Sequence, residues 1–288
     1  MSEVKKTAFL EIDTRCRFNC KHCYLKEKGR HLTVEQAMDR INLLKKKGYE
    51  VITIWGEILD HPKFLQVVQA SGQDGISTTG VPLLEDPNLA QQLPSYGIEE
   101  IRISSHYYAK SLGLSPIKLE QVKQIAKIAN NARVRTRAHV ILWQGNYDKV
   151  FEICKRAIDD GLCGVRLLNL IPTNPNLAKF CLSKDQVYSI FEQVEFCRDL
   201  FSIDVLHIKM SGTFGPRPGS VGAKMSKACI YCPAGKENIF VKIDGSIFPC
   251  FYLTEKHNCI GKLDDKNETI IFTNPNNLNR STCFFSHL

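Results

Sequence analysis

Cys16, Cys20 and Cys23 stand in the stretch Cys16-Arg17-Phe18-Asn19-Cys20-Lys21-His22-Cys23-Tyr24, a C-x3-C-x2-C spacing directly behind the apolar run Thr7 to Ile12. Three thiolates on one short loop can hold three corners of a cubane iron–sulfur cluster and leave the fourth iron without a protein ligand, open to chemistry. A zinc site is the alternative, although zinc loops usually show paired C-x2-C units with a fourth ligand nearby. A second group opens at Cys229-Ile230-Tyr231-Cys232 and continues to Cys250. Asp244-Gly245 between two β-branched runs predicts a tight hairpin that returns Cys250 beside Cys232. Cys259 and Cys283 are the candidates for a fourth ligand, and a zinc ribbon is the competing reading. Cys154, Cys163, Cys181 and Cys197 lack metal spacing and read as buried thiols.

The elements that position these groups follow from pattern. The chain has 288 residues, 43% hydrophobic and 24% charged, enough for one barrel-sized domain and a small appendage. Short β-branched runs near 7–13, 51–55, 75–79, 99–105, 134–142 and 164–171 alternate with helical periods near 33–47, 63–71, 87–95, 116–130, 147–160 and 184–200. Six βα repeats predict an α/β fold with a parallel sheet. They are too few to close an eight-stranded barrel, so the expected architecture is a partial (β/α)6 TIM-like barrel with ligands at the C-terminal strand ends. Thr33 with Gln36 predicts a capping box, Gly48 a helix stop, Asn146 and Asp148 a helix start, and Gly161 its end. After about residue 205 glycines and prolines mark a linker, so the expected domains are 1–205 and 206–288, the latter a small cysteine-rich β-hairpin/helix domain.

No apolar run approaches a membrane span, and no apolar signal region follows the first lysines, so the expected location is cytoplasmic. Twelve cysteines there argue for metal thiolates and free thiols. The formal charge of +8 would fall to about +5 with two clusters bound, weak support for a nucleic-acid partner. Lys45-Lys46-Lys47 reads as a solvated helix end.

Several strand ends carry polar residues. Gly56-Glu57 follows the second strand, Thr79 the third, and Ser104-Ser105-His106 the fourth; each also suits ordinary turn or capping chemistry. Arg135, Arg137 and His139 share one face of the fifth strand, either lining a cavity or facing outward with Thr136 and Ala138 inside. Asn169 stands near the end of the sixth.

The three-cysteine spacing resembles that of the radical SAM superfamily, and with the strand-end residues the resemblance covers nearly the whole chain. It implies that S-adenosylmethionine chelates the open iron of a [4Fe–4S] cluster on Cys16, Cys20 and Cys23 and is reductively cleaved to a 5′-deoxyadenosyl radical. Where the family commonly reads Gly-Gly-Glu-Pro this chain has Trp55-Gly56-Glu57-Ile58, so Gly56 and Glu57 are the implied holders of the SAM ammonium, and the indole must point away from it. Tyr24, Thr79, Ser104, Ser105, Arg137 and Asn169 complete the implied SAM contacts, and His106 is a candidate substrate contact or proton acceptor. Gly-x4-Cys ending at Cys250 resembles the auxiliary domains named SPASM and twitch, which implies a second [4Fe–4S] cluster on Cys229, Cys232, Cys250 and Cys283, or on three cysteines with an open iron. Cys259, if not a ligand, is a candidate hydrogen-atom donor. The resemblance further implies a flavodoxin- or ferredoxin-type reductant. The first expectation for substrate is a small polar molecule of aminocyclitol or amino-sugar type, oxidised or epimerised, with a ribosomally made peptide as the alternative. A non-catalytic two-cluster electron carrier is the competing class, and Gly56-Glu57 and Ser104-Ser105 speak against it.

Overall fold

A computed structural model describes residues 6–25, 29–109, 112–173, 175–211, 214, 234–235, 237–265 and 268–272. In chain order these form β1 (Lys6–Asp13), α1 (Val34–Lys46), β2 (Tyr49–Trp55), α2 (Phe64–Ser71), β3 (Gly75–Thr78), α3 (Val81–Glu85), α4 (Asn88–Gln92), β4 (Glu100–Ile103) and α5 (Leu119–Asn131). There follow β5 (Arg135–Leu142), α6 (Val150–Asp159), β6 (Gly164–Asn169), α7 (Lys184–Leu200), β7 (His207–Met210), β8 (Asn238–Val241), β9 (Ser246–Phe248), β10 (Gly261–Asp264) and β11 (Thr269–Phe272). The expected α/β class is found, with all six predicted parallel strands present. Two compact units divide the chain, one from 1–17, 24–73 and 231–287, the other from 18–23 and 74–230.

The first unit is built on a sheet ordered β11-β10-β9-β8-β1-β2. β1 pairs in parallel with β2 on one side and with β8 on the other, Thr7 opposite Asn238 and Leu10 opposite Val241. α1 covers this sheet with Ala37, Ile41 and Leu44, fully buried in one cluster with Ala8, Leu10 and Ile12 of β1. Each large side chain so buried contributes about 1.5–3 kcal/mol. The predicted capping box starts α1: Gln36 N–H donates to Thr33 Oγ1 at 3.2 Å and Thr33 N–H to Gln36 Oε1 at 2.9 Å. The predicted hairpin joins β8 and β9, with Lys242 N–H to Ser246 O at 2.9 Å and Gly245 at φ +82°, the left-handed position its type requires. Arg40 of α1 ties this hairpin down, donating to Ile243 O at 2.8 Å and, through Nη2, to Asp265 at 2.6 Å.

The second unit holds the sheet β3-β4-β5-β6-β7, parallel throughout. Ile76, Ile101, Ile103, Ala138, Val140, Val165 and Leu167 share one of its faces by register and are fully buried. α5 turns Val122, Ile125 and Ala126 inward, and Gly80 lets it approach: a Cβ there would lie 2.6 Å from Ile125 Cγ2. The helix expected over 87–95 is broken into α4 and a 3-10 turn at Leu93–Tyr96, where Pro94 removes a donor and restricts the residue before, while α3 lies ahead of the expected span. Asn146 does not cap α6, whose N-cap is Lys149. It is fully buried and braces the preceding loop instead, accepting from Trp143 N–H at 2.8 Å and donating to Ile141 O at 3.0 Å. Among the described residues no helix is long and apolar enough to cross a membrane.

Candidate functional site

In the first unit the cysteine loop leaves β1 at Asp13, whose carboxylate accepts from Arg15 N–H at 2.8 Å and from its guanidinium at 2.6 Å. The far end of the loop is tied back through Thr14, whose N–H donates to Arg30 O at 2.8 Å while its hydroxyl accepts from Arg30 N–H at 3.0 Å. The turn after β2 is stitched onto the same loop, Gly56 N–H donating to Asp13 O at 2.7 Å and Glu57 N–H to Arg15 O at 3.3 Å. The approach is close enough to exclude any side chain at residue 56. A Cβ on Gly56 would lie 2.1 Å from Arg15 O and 2.9 Å from Cys16 Cβ.

This contact fixes Glu57 beside Cys16. Glu57 is 3% exposed, starts the 3-10 helix Ile58–Asp60 and accepts from Leu59 N–H at 3.4 Å. It lines a cavity of about 350 Å³ together with Asp13, Arg15, Cys16 and His61. Arg17 is held at the rim by Asp60, Nε to Oδ2 at 2.9 Å. Burial holds the His61 imidazole below its ordinary value, and the Arg15 charge adds to this against the opposing Asp13. Trp55 turns back onto its own strand, its Nε1 donating to Thr53 Oγ1 at 2.8 Å. A buried carboxylate in a cavity can receive an ammonium group.

Tyr24, the residue after Cys23, packs in the same unit against Phe251 and Tyr252 with ring centroids at 4.9 and 6.0 Å. These rings directly follow Cys250, which is half-buried and accepts at its sulfur from Tyr252 N–H at 3.5 Å. Cys259 is also half-buried, its thiol donating to Gly261 O at 3.3 Å. Cys229, Cys232 and Cys283, and with them the rest of the second cysteine set, lie outside the described residues.

In the second unit Cys20 and Cys23 are half-exposed, joined by a turn with Cys23 N–H on Cys20 O at 3.1 Å. The C-terminal ends of β3, β4 and β6 carry Thr79, Ser104 and Asn169. Ser104 N–H donates to Thr78 O at 2.9 Å and its side chain is half-exposed, whereas Ser105 is fully buried with its hydroxyl on His139 O at 3.3 Å. Of the two serines, Ser104 is the one open to a ligand. Thr79 accepts from Val81 N–H at 3.3 Å.

His106 follows the end of β4 by three residues but is buried, 4% exposed at φ +41°, and its Nδ1 accepts from Ile141 N–H at 3.3 Å. Its ring edge meets His22, centroids 4.9 Å apart. His22 was not singled out from the sequence, although it lies between Cys20 and Cys23; burial pushes its imidazole down to about 4. Arg137 is not brought to the other candidates either. It pairs with Arg102 and with Gly164, the first residue of β6, and its guanidinium is 2.8 Å from Glu100. Five residues separate it from the end of β5 at Leu142, about 16 Å along an extended strand. Arg135 is exposed and paired with Glu99 at 3.2 Å.

No protein-family model matches the chain, and no curated protein matches it in sequence. Solved structures match over most of its length. Streptococcus suis SuiB bound to S-adenosylmethionine superposes with a TM-score of 0.66 at 15% identity, over 88% of this chain and 62% of that one. SuiB bound to its precursor peptide SuiA gives a TM-score of 0.65 at 14% identity. The structure of anSMEcpe with AdoMet and the Cp18Cys peptide gives 0.62 at 13% identity, over 91% of this chain and 79% of that one. Both proteins are found with S-adenosylmethionine bound.

The chain shares the fold of these structures. It spans 62% of the length of SuiB, so the likeness fixes the fold and leaves the activity to its own residues. Those residues suit the group that the sequence resemblance implies. Cys16, Cys20 and Cys23 are partly exposed thiols, and a buried carboxylate lies beside Cys16. In a cubane cluster each thiolate binds a different iron.

Proposed function

We propose that the protein is a radical SAM enzyme that abstracts hydrogen from an unactivated C–H bond of a peptide. Cys16, Cys20 and Cys23 would hold a [4Fe–4S] cluster which, with S-adenosylmethionine, supplies a 5′-deoxyadenosyl radical under reduction. The observation that carries this reading is the Gly56 contact with Arg15 and Cys16, which sets the buried Glu57 beside the cysteine loop. Glu57 receives the SAM ammonium, Gly56 contributes backbone, and Thr79, Ser104 and Asn169 offer polar groups at the strand ends.

Residues 206–288 form the auxiliary domain in this reading, with a second cluster on Cys229, Cys232, Cys250 and Cys283, and Cys259 as a thiol near it. A flavodoxin- or ferredoxin-type protein is the electron donor. The packing of Tyr24 on Phe251 and Tyr252 supports a working connection between the two cysteine stretches.

For the substrate, the small polar molecule expected first from the sequence gives way to its alternative. SuiB and anSMEcpe, the structural neighbours, are both found with peptides bound. The reaction class is then modification of a peptide carbon, by oxidation, epimerisation or cross-linking. Incubation of the reduced enzyme with residue-deuterated peptides, and in parallel with deuterated polyols, tests this: deuterium in 5′-deoxyadenosine from a peptide alone is expected, and transfer from a polyol alone would overturn the peptide reading.

A further inference from the structure

On the polar face of the sheet β3-β4-β5-β6-β7, Arg102 and Arg137 are register partners, as are His139 and Arg166 one layer further along. Glu100 serves the first two, Arg102 Nε at 2.9 Å and Arg137 Nη2 at 2.8 Å. Asp74 is 4.0 Å from Arg102 and 74% exposed, too distant and too wet to count for much. Arg166 has no ion pair among the described residues. Arg137 Nε, Arg166 Nε and His139 Nε2 are all buried without a hydrogen-bond partner, and the Arg137 side chain is only 8% exposed. Such orphaned donors are costly, because they have left water and gained nothing in return.

The neighbouring strands are shaped to keep these guanidiniums where they are. A Cβ on Gly75 would lie 2.5 Å from Arg102 Nη2, and one on Gly164 would lie 3.0 Å from Arg137 Nε, so both arginines lie across flat glycine positions. Burial first, then Arg166, Arg102 and Arg137, push the His139 imidazole down to about 3, which keeps it neutral with one N–H to donate. Burial and the other two arginines also lower Arg166, with Glu100 opposing. Three guanidiniums and one carboxylate leave an excess of positive charge on a largely buried face. An anion would balance it.

We propose that Arg166 and His139 bind a carboxylate of the substrate, with the Arg102-Glu100-Arg137 layer behind them as a fixed cationic support. An acidic side chain or terminal carboxylate of a peptide has this chemistry. That the carboxylate belongs to the substrate rests on the radical SAM reading; that the face binds an oxyanion does not. The SAM carboxylate is the rival source, but Arg166 stands three residues, about 10 Å, from the end of β6 at Asn169.

Calorimetric titration of the cluster-reconstituted protein with glutarate and with inorganic phosphate, in chloride-free buffer, tests the site without any turnover. Wild type is expected to bind both, R166Q and H139Q at least tenfold more weakly, and R135Q, on the exposed cation of the same strand, within twofold of wild type. SAM affinity in R166Q is expected within twofold of wild type, and its melting temperature without added anion equal or higher, since an unbalanced buried cation has been removed. R166K, which keeps charge but not the planar fork, should also bind weakly. No binding by wild type, or binding unchanged in R166Q (an adventitious ion only), overturns the proposal. So does a lower melting temperature of R166Q, which makes Arg166 structural, or a tenfold loss of SAM affinity, which assigns the site to SAM.

Discussion

The Cα of Gly56 faces Cys16 so closely that a single added methyl group would sit 2.9 Å from the Cys16 Cβ, and 2.1 Å from the carbonyl oxygen of Arg15. The obstacle is the Arg15 backbone on one side and the Cys16 Cβ on the other, so no rotamer change relieves it. Gly56→Ala must displace the loop. SAM cleavage is expected to fall at least about 100-fold, the usual consequence of an ångström-scale misplacement. Iron should drop from about eight per chain toward about four as the first cluster is lost. Full iron and full activity in this variant would contradict the geometry.

Glu57→Gln keeps an acceptor for Leu59 N–H and removes the charge. The expected loss is about 1.5–3 kcal/mol of SAM binding, roughly 10- to 150-fold in Kd, with iron content and melting temperature unchanged. Equilibrium dialysis with labelled SAM measures it.

The auxiliary cysteines are separable from the first three. Substituting Cys16, Cys20 and Cys23 together by alanine should leave about four irons per chain, measured by metal analysis and absorption. Zinc in their place would refute the second cluster.

Arg40 is 5% exposed and joins α1 to Ile243 O and Asp265. Arg40→Ala leaves buried acceptors unmet and is expected to cost about 3 kcal/mol, lowering the melting temperature by roughly 6–12 °C. Asp265 is half-exposed, 49% for its side chain, so Asp265→Ala should cost less.

Stability should depend on pH through His139. Its folded pKa is depressed, to about 3, against 6.5 for the free side chain, so below 6.5 the unfolded chain takes up a proton that the folded chain refuses. The contribution is fully present above 6.5 and is lost as pH falls, by about 2 kcal/mol at pH 5. Denaturant midpoints of wild type at pH 7 and 5 should therefore differ by more than those of His139→Gln; equal differences would show that the imidazole is not held neutral.

The repeat of six strands and helices was legible because each βα unit writes its own period, and the Thr33 capping box and the Asp244-Gly245 hairpin because their signals are local. β7 was missed, being four residues with two polar side chains. The pairing of β8 with β1 joins residues some 230 apart and leaves no trace in either strand. Alternation put Arg135, Arg137 and His139 on one face, but only register adds Arg102 and Arg166 to it and shows Arg135 reaching out to Glu99. Gly56-Glu57 read equally well as a turn until the closeness of Cys16 gave the glycine its reason. Asn146 has the composition of a helix cap, and buried backbone groups in its own loop claim it first.

The most direct test is anaerobic reaction of the reconstituted protein with SAM and dithionite, with 5′-deoxyadenosine measured by mass spectrometry. Wild type is predicted to form 5′-deoxyadenosine and methionine together, and Cys20→Ala, short of one cluster, to form neither. Wild-type protein that carries both clusters, binds SAM and makes no 5′-deoxyadenosine would contradict the assignment.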